Sequence, residues 1–285
     1  MQVLALDFDG VISDSAFESF VVALRTYLRE GVDVPATRRM LDLGEVPLAE
    51  LDGHPFYRDF LDLMPLGNRA EDFGVALCLI DRAEKVADQA SFDLSRESLG
   101  KESLARFHHA FYQERQALRA ADPGAWLGLV RPFGSFVSIL RSRSQSRTLA
   151  LATAKDRASV DLLLDAYGIS DLFAEGLIVD KEAGRSKRSH LERLRESLGA
   201  NFEDFTFVDD KLNHLEDVSS LGVRGVLAGW GYNGERERLL AMERGFRVCD
   251  LDEAEEALFG AIPGPVSYTH LRAHETRHGL VCRLL

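Results

Sequence analysis

Cysteines and long hydrophobic runs are scarce in this chain. Only three cysteines occur among its 285 residues, and they lack the spacing that is typical of metal sites. The sequence is therefore unlike a disulfide scaffold and fits a reduced compartment, which predicts a cytoplasmic protein. No apolar run reaches the roughly 18 residues of a membrane span, and no signal peptide precedes the first apolar segment, so we expect no membrane partner.

Basic residues are also fewer than acidic residues. Lysine and arginine number 34 against 46 aspartates and glutamates, which gives a formal net charge of −12 at pH 7. Nucleic acids and anionic membrane surfaces bind to basic patches, so this balance argues against both kinds of partner. Hydrophobic residues make up 46% of the chain, and the length suits one core domain with an insertion.

The end of the chain has a different character. Residues 266–285 contain the string VSYTHLRAHET and resemble the peptide produced when a sequencing-library adapter is translated. We expect this tail to be foreign to the natural protein. His270, His274 and His278 are spaced within it as zinc ligands on a helix would be, but a foreign tail argues against a zinc site.

Two carboxylates follow an apolar segment near the start of the chain. Residues 3–5 are typical of a buried strand, and Asp7 and Asp9 come directly after them, before Gly10. Side chains alternate between the faces of a strand, so both carboxylates reach one site only where the strand ends and the chain turns. Such strand ends bind ligands in open α/β sheets. Taken alone, the pair suits a cation site, a nucleophile beside a general acid/base, a calcium loop or a solvated turn.

Three further chemical groups follow in order along the chain. Thr153 comes directly after a second apolar run, and Asp209 and Asp210 come at the end of a third. Lys187 begins an amphipathic segment with leucines at helical spacing, although Lys181 lies shortly before it. Carboxylates, a hydroxyl and a lysine are thus predicted mostly at strand ends.

Beyond residue 133, strand-like runs alternate with helical patterns. Strands are expected at 148–152, 177–179, 205–208 and 225–228. This alternation predicts an α/β fold, a Rossmann-like parallel sheet with helices on both faces.

The region between the first two sheet strands shows helical patterns only. They recur at about 70–90 and 100–119, and no strand-like alternation interrupts them. The intervening prolines predict loops, and the chain is expected to return to the sheet through a hinge at 122–124 and 131–132; the prolines are Pro35, Pro47, Pro55 and Pro65.

These motifs together resemble those of the haloacid dehalogenase superfamily, in particular its phosphatase branch. The set consists of the Asp7 and Asp9 pair, Thr153, Lys187 and the Asp209–Asp210 pair. The run Thr-Ala-Lys-Asp-Arg-Ala-Ser from Thr153 is similar to that of phosphoglycolate-phosphatase-like members. The resemblance covers about residues 1–13 and 129–260.

The resemblance implies a domain organisation and a set of roles. Residues 1–13 and 129–262 would form the α/β core, and residues 14–128 an inserted all-helical cap that closes over the substrate. Asp7 would be the nucleophile and Asp9 the general acid/base. Thr153 would bind the transferring phosphoryl group, Lys187 would offset negative charge, and the contacts of Gly10 and Ala154 would be with the substrate.

The resemblance also implies Mg²⁺ as the cofactor. Its ligands would be Asp7, the backbone of Asp9, and Asp210, with Asp209 as an outer or alternate ligand. The chain departs from the commoner pattern here, because Asp209 replaces a glycine and His214 stands where a later acid is expected. Asn213 or Asp217 could supply that acid's contact, and His214 alone is more typical of a helix surface.

Arg69 is the cap residue we expect to contact the substrate. Arginine forms bidentate pairs with carboxylate or phosphate, so Arg69 could hold a second anionic group, although a surface ion pair with Glu71 or Asp72 is the alternative. The expected function is a Mg²⁺-dependent phosphatase for a small phosphorylated metabolite. A sugar-phosphate mutase of the β-phosphoglucomutase type and a catalytically silent binding protein remain the alternatives. The sequence does not predict an oligomeric state.

Overall fold

The computed structural model describes residues 1–32, 35–67, 69–184 and 186–260. The expected foreign tail, with its three histidines, lies outside the described residues. So do the last two residues of the predicted core.

The predicted parallel sheet is confirmed. Its order is β5-β4-β1-β6-β7-β8, and every neighbouring pair of strands in it is parallel. A short antiparallel ribbon, β2 with β3, lies outside it. The strands are β1 (Val3–Leu6), β2 (Ser13–Asp14), β3 (Arg131–Pro132), β4 (Thr148–Ala152), β5 (Ile178–Val179), β6 (Phe205–Asp209), β7 (Arg224–Ala228) and β8 (Arg247–Cys249).

The central strand is apolar throughout because both faces of the sheet are covered. Leu4 and Leu6 of β1 pack into one buried cluster, whereas Val3 and Ala5 pack into a second cluster on the other face. In the described residues, six helices follow residue 133, and the eight helices α1–α8 that precede them are described in the next paragraph. The six are α9 (Gly134–Arg143), α10 (Arg157–Ala166), α11 (Lys187–Leu198), α12 (Leu212–Ser219), α13 (Glu235–Glu243) and α14 (Ala254–Phe259).

The segment between β2 and β3 is helical in its described residues. Its helices are α1 (Ala16–Glu30), α2 (Arg38–Gly44), α3 (Leu48–Leu51), α4 (Pro55–Leu63), α5 (Ala70–Arg82), α6 (Gln89–Ser98), α7 (Lys101–Ala121) and α8 (Pro123–Leu127), with a 3₁₀ turn at Met64–Leu66. Helices α1, α5 and α7 pack on one another. Between α1 and α7, the buried Glu18 accepts two hydrogen bonds from Arg115, at 2.7 and 2.6 Å.

Several segments that the prolines predicted to be loops are helices. Pro55 is the first residue of α4, with His54 as its N-cap, and Pro65 lies within the 3₁₀ turn. Residues 122–124, expected to be a hinge, begin α8: Asp122 caps it by accepting a hydrogen bond from Ala125 N at 2.9 Å. Proline has no backbone N–H, but the N–H groups of the first helical turn have no partner within the helix, so proline is tolerated there. An acidic or polar N-cap residue followed by proline therefore favours the start of a helix over a loop.

The two connections between the sheet and the helical segment run side by side. Ser13 pairs with Pro132, and Asp14 pairs with Arg131, in the β2–β3 ribbon. The expected return hinge at 131–132 is thus one strand of this ribbon. No helix in the described part of the chain is both long and apolar enough to cross a membrane.

Candidate active site

The chemical groups singled out in the sequence meet at one edge of the sheet. Asp7 follows β1, Thr153 follows β4, and Asp209 and Asp210 lie at the end of β6. Strands β4, β1 and β6 are adjacent and parallel, so their carboxyl ends lie together. Open α/β sheets bind ligands at this edge.

Asp7 is held from two sides. Its Oδ1 accepts a hydrogen bond from Phe8 N at 2.7 Å, and its Oδ2 lies 2.7 Å from Lys187 Nζ. Burial raises the pKa of Asp7 to about 7, although the positive charge of Lys187 opposes the rise. The carboxylate is therefore fixed in place and carries negative charge that its surroundings do not fully compensate.

The lysine beside Asp7 is Lys187 and not Lys181. Lys187 is the first residue of α11, and its buried ammonium also contacts Asp209 Oδ2 at 3.3 Å and donates to Ala152 O at 2.7 Å. Lys181 lies elsewhere, with Nζ 4.6 Å from the ring centroid of Tyr112. A lysine at a helix start reaches back over the strand ends, whereas Lys181 belongs to a 3₁₀ turn just after β5.

Asp9 is paired with a lysine that the sequence did not single out. Lys155 Nζ lies 2.9 and 3.2 Å from the two carboxylate oxygens of Asp9, and its side chain is fully buried. Burial acts to raise the pKa of Asp9, but the charge of Lys155 and its hydrogen bond outweigh burial and hold that pKa below the usual range. One third of the Asp9 side chain remains exposed.

The two aspartates at the end of β6 have different environments. Asp209 accepts a hydrogen bond from Lys211 N at 2.9 Å and contacts the ammonium of Lys187. Burial acts to raise the pKa of Asp209, but the charges of His214 and Lys187 outweigh burial and hold that pKa below the usual range. Among the described residues, the Asp210 carboxylate accepts a hydrogen bond from the main-chain Tyr232 N alone, at 2.8 Å, and burial raises the pKa of Asp210 to about 6. Asp210, like Asp7, is a buried acid whose negative charge is poorly compensated.

Gly10 packs against Asp210, and the substrate contact expected of it stays a prediction. Its N–H donates to Ser13 O at 2.8 Å, and it is absent from the cavity wall among the described residues. Its φ is +80°, and a Cβ there would lie 2.4 Å from Asp210 Oδ2. Only glycine tolerates this conformation and the approach of the carboxylate together.

Thr153 and Ala154 lie where the sequence placed them, beyond β4. Both line the cavity beside Asp7. Thr153 N donates to Val179 O at 2.9 Å, and the hydroxyl oxygen accepts a hydrogen bond from Lys155 N at 3.1 Å. The hydroxyl proton is therefore available to a ligand, and Asp156 is the N-cap of α10.

His214 is part of the site wall and not a surface residue of α12. Its Nδ1 lies 3.0 and 3.1 Å from the two carboxylate oxygens of Asp209, and the side chain lines the cavity. Asn213 is exposed and absent from that wall, and Asp217 accepts Arg188 N at 3.1 Å. Neither of them therefore replaces the acid that His214 displaces.

A cavity of about 100 Å³ separates the strand ends from the helical segment. Arg69 lines it, at the start of α5, and its guanidinium forms no ion pair among the described residues. The alternative of an ion pair with Glu71 or Asp72 is not seen, because those acids contact His108 and Arg96. The helical segment contributes most of the remaining wall on its side: Ser19, Met64, Gly67, Phe73, Phe111, Tyr112 and Arg115.

The carboxylates fit a divalent cation. Asp7, Asp209 and His214 bring three ligand atoms within 4.8 Å of one another, but the ammonium of Lys187 already bridges the two aspartates. Asp210 and Asp7, whose pKa values burial raises, are the acids that still need positive charge. An all-oxygen set of this kind suits a hard cation.

Three cationic residues of the cavity wall were not singled out from the sequence: Lys155, Lys211 and Arg115. Lys155 stands two residues after Thr153 and Lys211 directly after Asp210, so proximity to a motif was the available signal. Arg115 had no such signal, because its place depends on how α7 packs against α1.

Comparisons with known proteins identify the family and similar folds. The family model of the haloacid dehalogenase-like hydrolases matches residues 1–216. No curated protein matches the chain. Among solved structures, a predicted phosphoglycolate phosphatase of Haemophilus somnus is similar, with a TM-score of 0.58 and 16% identity over 90% of this chain and 97% of that one.

Two further solved structures are similar in fold. A predicted phosphatase of Clostridium acetobutylicum has a TM-score of 0.52 and 13% identity, over 90% of this chain and 97% of its own. A haloacid dehalogenase-like family protein of Streptococcus pneumoniae has a TM-score of 0.53 and 14% identity, over 89% and 96%. The resemblance of the motifs is confirmed by the family match, and the chain belongs to the haloacid dehalogenase-like hydrolases.

Proposed function

We propose that this hydrolase is a Mg²⁺-dependent phosphatase acting on a small phosphate monoester through an aspartyl-phosphate intermediate. The observation that carries the proposal is the Asp7 carboxylate, fixed by Lys187 at a small cavity whose wall also holds Asp9 and Thr153. In this proposal residues 14–128 act as the cap and the two flanking segments as the core.

Asp7 is placed to attack phosphorus. Its carboxylate is held by Phe8 N and by the ammonium of Lys187, so it does not need to reorient before bond formation. The same ammonium lowers the repulsion between the carboxylate and the incoming phosphate. Covalent capture on Asp7 divides hydrolysis into two easier displacements.

Asp9 would serve both displacements as acid and base. In its protonated form it would donate a proton to the leaving alkoxide, and the carboxylate left behind, which Lys155 favours, would then take a proton from the water that cleaves the intermediate. Lys155 holds its carboxylate from within the core, while the exposed third of the side chain faces the cavity that Asp9 lines. The lysine therefore fixes the orientation of the acid/base group.

The transferring phosphoryl group would be bound beyond β4. The Thr153 hydroxyl and the Ala154 N–H are the proposed donors to its oxygens. A bound Mg²⁺ would supply the positive charge that brings carboxylate and phosphate together. Its proposed ligands are Asp7, Asp210 and the main-chain carbonyl of Asp9, with Asp209 as an outer or alternate ligand.

The size of the cavity supports a small substrate. The cavity between the strand ends and the helical segment has a volume of only about 100 Å³. The description of one structural relative as a predicted phosphoglycolate phosphatase points to a substrate of this size.

The test is inorganic phosphate release from a panel of small phosphate esters, with Mg²⁺ or with EDTA. We expect Mg²⁺-dependent release that Asp7→Asn abolishes. Asp165→Asn, the same substitution at an exposed position on α10, serves as the matched control and should keep wild-type activity.

Two results would contradict the proposal. Interconversion of sugar phosphates without phosphate release would favour the mutase. A folded protein that binds Mg²⁺ but transfers no phosphoryl group, or that fails to bind Mg²⁺ at all, would favour a silent core.

A further inference from the structure

One short loop contacts both Asp210 and the first connection between the sheet and the helical segment. The loop consists of residues 229–234, between β7 and α13. Asp210 follows β6, and the first connection is β2 together with Ser15, which precedes α1. No residue of this loop takes part in the proposed phosphoryl transfer, so its contacts need a separate explanation.

The loop holds Asp210 through its main chain and through one side chain. Tyr232 N donates to Asp210 Oδ2 at 2.8 Å, and Asn233 Nδ2 donates to Asp210 O at 3.1 Å. A Cβ on Gly231 would clash with Asp210 Cβ and with Gly10 O, so the loop approaches this closely because a glycine stands there. The other carboxylate oxygen of Asp210, Oδ1, accepts no hydrogen bond among the described residues and is open to the proposed cation.

The same tyrosine reaches the first connection with its hydroxyl. Tyr232 Oη accepts a hydrogen bond from Ser15 N at 2.5 Å and donates one to Asp14 Oδ1 at 3.2 Å. Burial and the negative charge of Asp14 raise the pKa of Tyr232 well above its usual range, so the hydroxyl keeps the proton that it donates. Trp230 Nε1 adds a hydrogen bond to Val11 O at 3.0 Å.

These contacts act on the point where the helical segment begins. Ser15 is the N-cap residue of α1, and Asp14 Oδ1 accepts a hydrogen bond from Ala16 N at 3.2 Å. Asp14 is also paired with Arg131 in the β2–β3 ribbon, so both connections are held at one place. Because Ser19 of α1 lines the cavity, a shift of Asp14 would move the helical wall of the cavity.

We propose that Tyr232 is a positioning residue that couples cation binding at Asp210 to the orientation of the helical segment. When Asp210 is fixed as a ligand, the N–H of Tyr232 is fixed with it, and the hydroxyl of the same residue holds Asp14 and Ser15. The inference rests on the proposed function, because it takes Asp210 as a ligand of the proposed Mg²⁺. Coupling of this kind is reciprocal: Mg²⁺ stabilises the first connection, and an intact first connection strengthens Mg²⁺ binding.

Two tyrosines at the first connection allow a matched test. Tyr232→Phe removes the hydroxyl and keeps the main-chain N–H that donates to Asp210. Tyr167→Phe is the control, because Tyr167 Oη lies 2.7 Å from Ser13 Oγ and thus contacts the same connection. Tyr167 is the C-cap residue of α10 and makes no hydrogen bond to Asp210 in the described part of the chain. The two variants therefore lose the same group but differ in their link to the proposed cation site.

Amide hydrogen exchange of Ser19 and Phe133, in EDTA and in saturating Mg²⁺, measures the coupling. Ser19 N donates to Ser15 O in the first turn of α1, and Phe133 N donates to Ile12 O between the two connections, both at 2.9 Å. Neither hydrogen bond involves a tyrosine side chain, so both amides stay bonded in the variants. We expect Mg²⁺ to slow their exchange about tenfold in the wild-type protein and in the control, but less than about twofold in Tyr232→Phe.

Calorimetry of Mg²⁺ binding gives the reciprocal effect and separates this inference from the proposed function. Tyr232→Phe should weaken Mg²⁺ binding about threefold or more, and the control should not. An unchanged dissociation constant in Tyr232→Phe, or the same Mg²⁺ response of the two amides in all three proteins, overturns the coupling. So does loss of the response in the control as well. In each of these cases Mg²⁺-dependent phosphate release by the wild-type protein leaves the phosphatase proposal standing, whereas a wild-type protein that binds no Mg²⁺ overturns both.

Discussion

Replacing Asp7 with asparagine is expected to stabilise the protein in the absence of divalent cations. The pKa of Asp7 is raised from 3.8 to about 7 because the carboxylate is buried. Between these values the native state holds a proton that the unfolded chain has lost. The free energy of unfolding therefore falls as the pH rises from about 4 to about 7, and above pH 7 the whole cost of the buried charge is present.

The magnitude follows from the shift. Three pKa units at about 1.4 kcal/mol each give about 4 kcal/mol as the upper limit for the cost of the Asp7 charge at pH 8. Asparagine keeps an oxygen for the Phe8 N–H but carries no charge. We expect Asp7→Asn to raise the free energy of unfolding at pH 8 in EDTA by up to this amount and to have almost no effect near pH 4.

Urea unfolding followed by tryptophan fluorescence measures the effect. Trp126 is fully buried in the helical segment, and Trp230 packs on Phe136 beside the sheet, so their fluorescence reports the unfolding of both parts of the molecule. Mg²⁺ should narrow the difference between the two proteins, because binding at one hundred times Kd stabilises the wild-type protein by about 2.7 kcal/mol and the variant lacks a ligand.

Asp209→Asn is the matched control, and it is expected to behave in the opposite way. Its pKa is held low by His214 and Lys187, so removing its charge takes a counter-charge from both of these side chains and leaves the buried Lys187 with Asp7 alone. Loss of one partner from a buried pair typically costs about 3–5 kcal/mol. If Asp7→Asn were destabilising at pH 8 in EDTA, or if the two variants behaved alike, our account of the charge balance in this site would be wrong.

Three further substitutions test other parts of the structure. Gly10→Ala places a Cβ against Asp210 at a φ of +80°, so we expect loss of Mg²⁺ affinity by calorimetry and a destabilisation of at least about 1 kcal/mol. Glu18→Gln leaves the buried Arg115 without its counter-charge and should cost about 3–5 kcal/mol in urea unfolding; a change below about 1 kcal/mol would refute the reading of this pair. Thr153→Val removes the proposed donor to the phosphoryl group and should lower kcat about 100-fold in the phosphate-release assay, and an unchanged kcat would exclude that role.

The strands that cross the centre of the sheet and the edge strand β5 could be predicted from the sequence, but the edge strand β8 could not. Strands β1, β4 and β6 are buried on both faces, so their residues form unbroken apolar runs. Strand β8 is three residues long at the edge and begins with an exposed arginine, which leaves no such run. Helices α3 and α4 were missed because proline was taken as a loop signal where it begins a helix.

The residues of the candidate site could also be predicted from the sequence only in part. Groups attached to strand ends, such as Asp7 and Thr153, could be placed because the strand itself fixes where its last residue lies. Lys155 and Lys211 could not, because a lysine side chain spans several ångströms and its direction depends on the packing around it. His214 was taken for a surface residue for the same reason: its contact with Asp209 depends on the angle at which α12 leaves the sheet.

The β2–β3 ribbon determines how the helical segment could be replaced in this protein. The chain leaves the core after Asp14 and re-enters at Arg131, and these residues are paired neighbours at the roughly 4.8 Å spacing of adjacent strands. A two-residue turn such as Asn-Gly would close the ribbon as a hairpin and bypass the entire helical segment. The path of the chain therefore predicts that the segment can be exchanged for one of different size without moving either end of the sheet to which it is joined.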